Sequence, residues 1–156
     1  MQVHLLTATQ RVPAALDDVW RFFTDPRNLE RLTSPQFKFV ITSELEGAVY
    51  PGMLLTYRVS PLFSIPMTWV TEITHVESGK GFIDEQRFGP YRLWHHEHRF
   101  IEIDGGVELV DRIYYALPLP PFGDWFDGTL VRPRLDAMLE YRRIEIDRIF
   151  GPAWRH

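Results

Sequence analysis

The stretch FIDEQRFGPYRLWHHEHRF, residues 82–100, consists of two alternating runs of side chains separated by Gly89 and Pro90. Successive side chains of a β-strand point to opposite faces of the sheet, so this alternation predicts two strands. Glycine and proline between two such runs are typical of a turn. Because strands joined by a short connection pair in antiparallel fashion, the stretch predicts a β-hairpin.

The alternation also predicts which side chains of this hairpin share a face. We expect the even-numbered positions of the second strand to face the interior: Trp94, His96, His98 and Phe100. The outer face is expected to carry cross-strand charge pairs that join Glu85 and Arg87 to Glu97 and Arg99. The first strand then contributes Asp84 and Gln86 to the inner face.

Similar runs, each bounded by turn residues, continue on both sides of the hairpin. A first strand is predicted over residues 3–12. The six later strands are predicted over residues 37–43, 53–60, 67–76, 81–88, 93–103 and 107–117. Short links between the six predict an antiparallel meander.

Helical periodicity is found at two places outside these strands. Apolar residues at i, i+3, i+4 and i+7 predict a helix over residues 14–23, and Asp25 with Pro26 is suited to open a second short helix. Apolar residues recur at helical spacing from Leu130 to Phe150 and predict a C-terminal helix. Pro133 either kinks that helix or marks the start of its main part. The proline-rich residues 118–123 are expected to form a stiff connector.

Composition narrows the functional class. The chain has 156 residues, 45% of them hydrophobic and 14% aromatic, which suits one domain over residues 1–156 with a large core or a lined cavity. A net charge of −4 without a broad basic surface argues against a nucleic-acid partner. The absence of cysteine excludes disulfides, thiolate metal sites and thiol nucleophiles. No signal peptide or membrane-spanning run is recognisable, so we expect a cytoplasmic protein without stable membrane insertion.

The predicted inner face combines rings with a few polar groups, as a small-molecule pocket requires. Alternation in the other strands adds positions to those of the hairpin. The candidate ligand-binding residues are Tyr57, Trp69, Thr71, Asp84, Gln86, Trp94, His96, His98, Asp111 and Tyr115. We expect the aromatic residues to form walls and the Asp, Gln and His residues to orient the ligand.

Three segments of the chain resemble the START-like or SRPBCC superfamily, which includes Bet v 1 proteins and polyketide cyclases. They are FFTDPRNLERLTSP (residues 22–35), the hairpin at 82–100, and DRIYYALPLPPFG (residues 111–123). The resemblance covers almost all of residues 3–150 and is strongest to small bacterial ligand-binding members. It implies the helix-grip fold: a curved antiparallel sheet of about seven strands, two short helices after the first strand, and a long C-terminal helix over the concave face.

The first functional hypothesis is a carrier or sensor that binds a small hydrophobic or amphipathic molecule, such as a lipid, a polyketide or an aromatic metabolite, without metal or cofactor. The alternative is a metal-independent enzyme of the cyclase or dehydratase kind. Its acid and base would come from His96, His98, Asp84 and Asp111.

Less specific interpretations of the same residues stay open. The four His and Asp side chains suit a buried hydrogen-bond network that fixes the sheet, or a two-histidine, one-carboxylate set that suits non-haem iron. Rings at Phe122, Trp125 and Phe126, and the segment 60–65, are candidate lids, homodimer contacts or membrane contacts. The arginines of the C-terminal helix, including Arg142, are expected to form a solvated face.

Overall fold

A computed structural model describes residues 1–61, 63–118 and 122–152. Its seven strands form one antiparallel sheet in the order β1-β7-β6-β5-β4-β3-β2. The strands are β1 (His4–Val12), β2 (Val40–Ile41), β3 (Leu54–Val59), β4 (Met67–Glu77), β5 (Gly81–Phe88), β6 (Leu93–Ile103) and β7 (Gly106–Ala116). The helices are α1 (Leu16–Phe23), α2 (Leu29–Leu32), α3 (Phe122–Phe126) and α4 (Arg132–Phe150). The helix-grip fold predicted from the sequence is confirmed.

The central hairpin and the meander are also confirmed. Strands β5 and β6 pair so that Asp84 lies opposite His96 and Phe82 lies opposite His98. Strand β1 closes the sheet by pairing along its length with β7, from His4 opposite Tyr115 to Val12 opposite Val107. The first and last strands are therefore neighbours, and β6 lies next to both β5 and β7.

Burial follows the predicted alternation on the inner face. In β6 the buried positions are Trp94, His96, His98 and Phe100. The other strands contribute alternate, odd-numbered side chains to the same inner face, among them Tyr57, Trp69, Ile73, Leu109 and Ile113. Together with Val19 of α1 and Leu135 and Ile146 of α4, they make one hydrophobic core between the concave face and the helices.

The expected charge pairs on the outer face were wrong in detail. The β5–β6 register places Glu85 opposite His95 and Glu97 opposite Ile83. Glu85 accordingly pairs with His95, with 2.6 Å between Oε1 and Nδ1, while Arg87 reaches Glu72 of β4. The length of the turn between the two strands sets this register, and side-chain charge follows it.

The strand predicted over residues 37–43 is mostly absent from the described chain. Residues Pro35–Phe37 form a 3-10 turn, and only Val40 and Ile41 form β2. Lys38 takes a left-handed conformation with φ of 47°, which interrupts any extended run through it. The interruption allows the ring of Phe37 to turn into the core.

The helices begin and end near the predicted residues. Helix α1 starts at Leu16 because Ala15 is still extended, and it buries Val19 and Phe23. The carboxylate of Asp25 accepts a hydrogen bond from the backbone N–H of Arg27, as expected of a cap before Pro26. Of the helices in the described part of the chain, none combines the length and hydropathy that a bilayer-spanning segment needs.

Pro133 lies in the first turn of α4, the part of a helix in which proline is best tolerated. It therefore marks the start of the main helix. A π-helical turn, Asp127–Val131, joins α3 to α4. The predicted stiff connector falls partly outside the described residues, since 119–121 are among those omitted, while Phe122 and Gly123 begin α3.

Candidate functional site

A cavity of about 170 Å³ lies between the inner face of the sheet and α4. Strands β3 to β6 form its floor, and the helical segments after β1 close another side. Leu135, Met138 and Arg142, three positions on one side of α4, complete the enclosure. The cavity therefore lies where the sequence predicted the concave face to meet the C-terminal helix.

Aromatic rings make up much of the wall. Trp69 contacts Trp94 edge to face with 5.3 Å between ring centroids, and Tyr91 lies 4.8 Å from Trp94. Tyr57 extends this group, with its ring 5.9 Å from Trp69. Such ring pairs hold one another in fixed orientations and present a rigid apolar surface.

Two phenol groups in this wall stay neutral. The Tyr57 hydroxyl forms a short hydrogen bond with the Thr71 hydroxyl. Burial raises the pKa of Tyr57, and the nearby Asp84 carboxylate raises it further. Burial also raises the pKa of Tyr91. Both phenols are thus available as neutral hydrogen-bonding groups and not as bases.

The polar end of the cavity is formed by part of a cluster of two histidines and two aspartates, which we call the His–Asp cluster: Asp84, His96, His98 and Asp111. The Nε2 atom of His98 lies 2.6 Å from Asp84 Oδ2, and the Nε2 atom of His96 lies 2.9 Å from Asp111 Oδ1. The second nitrogens cross over, because His98 Nδ1 is 3.1 Å from Asp111 Oδ1 and His96 Nδ1 is 3.6 Å from Asp84 Oδ2. Each imidazole therefore bridges both carboxylates.

Arg142 of α4 completes the cluster and corrects the prediction that it belongs to a solvated face. Its side chain is 13% exposed, and Nη2 lies 3.5 Å from Asp111 Oδ1 and 3.4 Å from His98 Nδ1. Position 142 lies seven residues after Leu135, so it continues the inward stripe of the helix. That spacing indicates an inward position for residue 142, although arginine side chains are mostly exposed in proteins.

Charge coupling inside the cluster sets its protonation. Burial by itself would raise the pKa of Asp111, but Arg142 and the two histidines hold it well below the usual range. The pKa of Asp84 is lowered in the same way, chiefly by His96 and His98 against the cost of burial. Burial and the charge of His98 lower the pKa of His96. Burial would also lower the pKa of His98, but the hydrogen bonds of its ring to Asp111 and Asp84 outweigh this effect and raise the pKa. Both carboxylates are therefore held in their anionic form beside Arg142, and His98 holds a proton more readily than His96 does.

The predicted site residues divide into two groups. Those that line the cavity are Tyr57, Trp69, Thr71, Asp84, Trp94, His96 and His98. Among the described lining residues, Gln86, Asp111 and Tyr115 do not occur. Gln86 instead holds the turn before β6, donating from Nε2 to the Tyr91 carbonyl and accepting from the Tyr91 N–H.

Tyr115 has a different role from the wall position that alternation predicted. Its hydroxyl donates to Asp127 Oδ1 at 2.7 Å, and its ring stacks on His4. Burial and the hydrogen bond to Asp127 raise the pKa of Tyr115 to about 12. His4 Nδ1 lies 3.2 Å from the other carboxylate oxygen of Asp127. This trio ties the π-helical turn to β1 and β7, and nothing in the spacing of the three residues indicated it.

A second, outer cavity of about 300 Å³ adjoins the first, and both are lined by Phe37, Pro61, Tyr91 and Leu135. Phe63 and Phe126 also line the outer cavity, where the candidate lids were predicted. Trp125 is 67% exposed. That these segments act as lids over the cavity stays a prediction.

Asp84, His96 and His98 are also arranged as metal ligands would be. One ligand atom from each lies within 4.8 Å of the others, and both histidines are buried. Imidazole and carboxylate together suit divalent ions such as Zn²⁺ or Fe²⁺. The geometry therefore fits the two-histidine, one-carboxylate alternative that the sequence left open beside the expected metal-free site.

Comparison with known proteins identifies the fold. No protein-family model and no curated protein matches the sequence. Among solved structures, Ms6760 from Mycobacterium smegmatis is similar with a TM-score of 0.68 and 20% identity, covering 96% of each chain. Ara h 8.0201 gives 0.63 at 13% identity over 93% of this chain and 98% of its own. The di-domain ARO/CYC StfQ from the steffimycin biosynthetic pathway gives 0.64 at 12% identity over 96% of this chain and 52% of its own.

These similarities establish the architecture. The seven-stranded sheet, the short helices after β1 and the long final helix form the Bet v 1-like, or helix-grip, fold. At such identities they establish the fold alone, so the activity has to be argued from the cavity.

Proposed function

We propose that this protein binds a small hydrophobic or amphipathic molecule in the inner cavity, as a carrier or a sensor. The observation that carries the proposal is a ring-lined cavity with one polar end, where His96, His98 and Asp84 reach the wall. Apolar walls supply most of the affinity of such sites, and a few convergent polar groups orient the ligand. Tyr57, Trp69, Thr71 and Trp94 are the proposed wall contacts.

The charges of the polar end favour an uncharged ligand group. Asp84 and Asp111 are already paired with Arg142 and the two imidazoles, so a charged group brought by the ligand would find no free partner among them. A carbonyl or hydroxyl group meets no such cost. The fitting ligand classes are therefore neutral lipids, polyketides and aromatic metabolites with an oxygen at one end.

Size indicates where such a ligand extends. Pockets for small molecules usually hold about 300–1,000 Å³, and the inner cavity alone is smaller. A longer ligand would pass Tyr91 and Leu135 into the outer cavity, which both residues also line. We propose that the oxygen end sits at the His–Asp cluster and the apolar tail points outward.

Native mass spectrometry of the purified protein, beside a denatured sample, tests the proposal directly. A co-purified organic mass that is lost on denaturation would support binding and identify the ligand class. The same spectrum reports whether the chain forms a homodimer. Fractionation of the cells that produce it tests the accompanying proposal that it acts in the cytoplasm.

A cavity-filling substitution supplies the matched test. Met138→Trp places a large ring into the cavity from α4, whereas Ile144→Trp adds the same ring at an exposed position of the same helix. We expect Met138→Trp to weaken binding of a neutral apolar fluorophore such as Nile red at least tenfold and Ile144→Trp to leave it unchanged. Equal affinities in the two variants would place the bound probe outside this cavity.

A second candidate is an enzyme of the cyclase or dehydratase kind. The contact of 2.6 Å between His98 and Asp84 at the cavity wall favours it, because a carboxylate beside an imidazole is a common acid–base pair. Turnover of a reactive polyketide chain that disappears in His98→Gln and persists in His95→Gln would support this alternative. Stoichiometric retention of an unchanged ligand supports the carrier.

A further inference from the structure

Beyond ligand binding, we propose that Asp84, His96 and His98 bind a divalent transition-metal ion at the polar end of the inner cavity, and that Asp111 positions both imidazoles. In the His–Asp cluster each imidazole lies between the two carboxylates, an arrangement that ligand binding by itself does not require. Each histidine presents one nitrogen toward Asp84 and the other toward Asp111. Asp84 and Asp111 therefore contact opposite nitrogens of the same two imidazole rings.

The three atoms on the Asp84 side are close enough to share one ion. His98 Nε2 and His96 Nδ1 lie 2.6 Å and 3.6 Å from Asp84 Oδ2. Metal–ligand distances of about 2.0–2.2 Å place neighbouring ligand atoms roughly 3–3.6 Å apart. The three ligand atoms lie within 4.8 Å of one another, so side-chain adjustments of about an ångström or less, including a small separation of His98 from Asp84, would admit the ion.

Asp111 has the position of a carboxylate that orients metal-bound histidines. Its Oδ1 atom lies 2.9 Å from His96 Nε2 and 3.1 Å from His98 Nδ1, the nitrogens that face away from Asp84. Ligating histidines usually donate their second N–H to such a carboxylate, which fixes the tautomer and the ring plane. Here one carboxylate does this for both rings.

The two aspartates also differ in their contact with Arg142. Its Nη2 lies 3.5 Å from Asp111 Oδ1, whereas in the described part of the chain no lysine or arginine nitrogen makes an ion pair with Asp84. Asp111 thus has a permanent cation in direct contact, whereas the direct ion-pair partners of Asp84 in the described chain are the two histidines. A divalent ion would take the place of a proton between Asp84 and these imidazoles, because a ligating histidine has to be neutral.

The ion would also be open to a bound molecule. Asp84, His96 and His98 line the cavity, and Asp111 lies behind the two imidazoles. Positions not taken by the protein would therefore face the apolar space. A metal held there would polarise a carbonyl or hydroxyl oxygen of the ligand.

The test is a Co²⁺ titration of the full chain after treatment with a chelator, followed by visible absorption and calorimetry. We expect one Co²⁺ per chain with d–d bands typical of nitrogen and oxygen ligands. His98→Ala and Asp84→Asn should lose this binding, and Asp111→Asn should weaken it about 10- to 100-fold. His95→Ala is the matched control, because His95 lies on the opposite face of the same strand and pairs with Glu85.

Ring-nitrogen NMR of the unsubstituted protein keeps the test independent of variant folding. Zn²⁺ should shift the resonances of His96 Nδ1 and His98 Nε2 and leave those of His95 in place. Absence of Co²⁺ binding in the wild type, or equal binding by the wild type and His98→Ala, would overturn the proposal. Nile red binding measured on the same samples separates the two proposals, since a protein that binds the dye but no metal refutes this inference alone.

Discussion

At the residue scale, the buried carboxylate of Asp111 depends on a cation from another element. Arg142 is the arginine within reach, and it shares Asp111 with the two imidazoles. Ion pairs of this kind add little when both partners are present, because desolvation offsets much of the attraction. Removal of one partner is costly, since it leaves a buried charge without compensation.

We therefore predict that Arg142→Met lowers the free energy of unfolding by about 3 kcal/mol. Arg143→Met is the matched control: Arg143 is the next residue on α4, and its partners Glu140 and Asp147 lie on the solvated surface. The control should cost less than about 1 kcal/mol. Urea unfolding of both variants at neutral pH measures the difference, and equal losses would contradict the buried role of Arg142.

At the element scale, the chain from α3 to α4 is anchored to the sheet by few polar contacts. Tyr115 of β7 donates to Asp127 in the π-helical turn, and His4 of β1 lies against the same carboxylate. The turn leads directly into α4, which carries three of the cavity's lining residues. The position of the helix over the cavity thus depends partly on this contact.

Tyr115→Phe should consequently destabilise the protein by about 1–2 kcal/mol, because it removes one donor from the buried Asp127 carboxylate. Hydrogen–deuterium exchange should become faster over residues 122–131 than in α4 as a whole. Tyr114→Phe, the neighbouring change on the outer face of β7, should leave this exchange unaltered. Uniform acceleration across the chain in Tyr115→Phe would mean that the hydroxyl supports global stability and not the local anchor.

At the scale of the whole molecule, the cavity couples ligand binding to stability. A ligand that binds only the folded state stabilises it by about 2.7 kcal/mol at a free concentration of 100 times Kd. For a chain of this length, that corresponds to a rise in melting temperature of roughly 5–10 °C. The molecule released in the mass-spectrometric experiment is the ligand to use.

Differential scanning calorimetry checks this expectation on three proteins. The wild type and Ile144→Trp should show the full rise on addition of the ligand. Met138→Trp should show little or none, because its ring occupies the space that the ligand needs. A rise of the same size in Met138→Trp would mean that the stabilising site lies elsewhere.

The sequence predicted the strand faces well, and for a local reason. His96 and His98 are two residues apart on a strand, so they must share a face, and their apolar neighbours Trp94 and Phe100 indicate that the face is buried. The same rule placed Asp84 of β5 and Asp111 of β7 on the face that carries the two histidines, and these strands lie on either side of β6. It failed at residues 37–43, where a left-handed Lys38 breaks an extended run that composition alone favoured.

The sequence did not indicate which of those residues contact one another. Asp111 meets His98 because β7 pairs with β6 in one register, and Arg142 meets them from a helix 44 residues after His98. Gln86 and Tyr115 likewise act as structural anchors because their side chains form hydrogen bonds with the Tyr91 backbone and with Asp127, which both lie outside the strands of the sheet. The sequence by itself determined periodicity, fold class and inner face, because these follow from backbone geometry and burial. The tertiary structure alone decided the cavity, its charge balance and its metal-like geometry, because these arise where distant elements pack together.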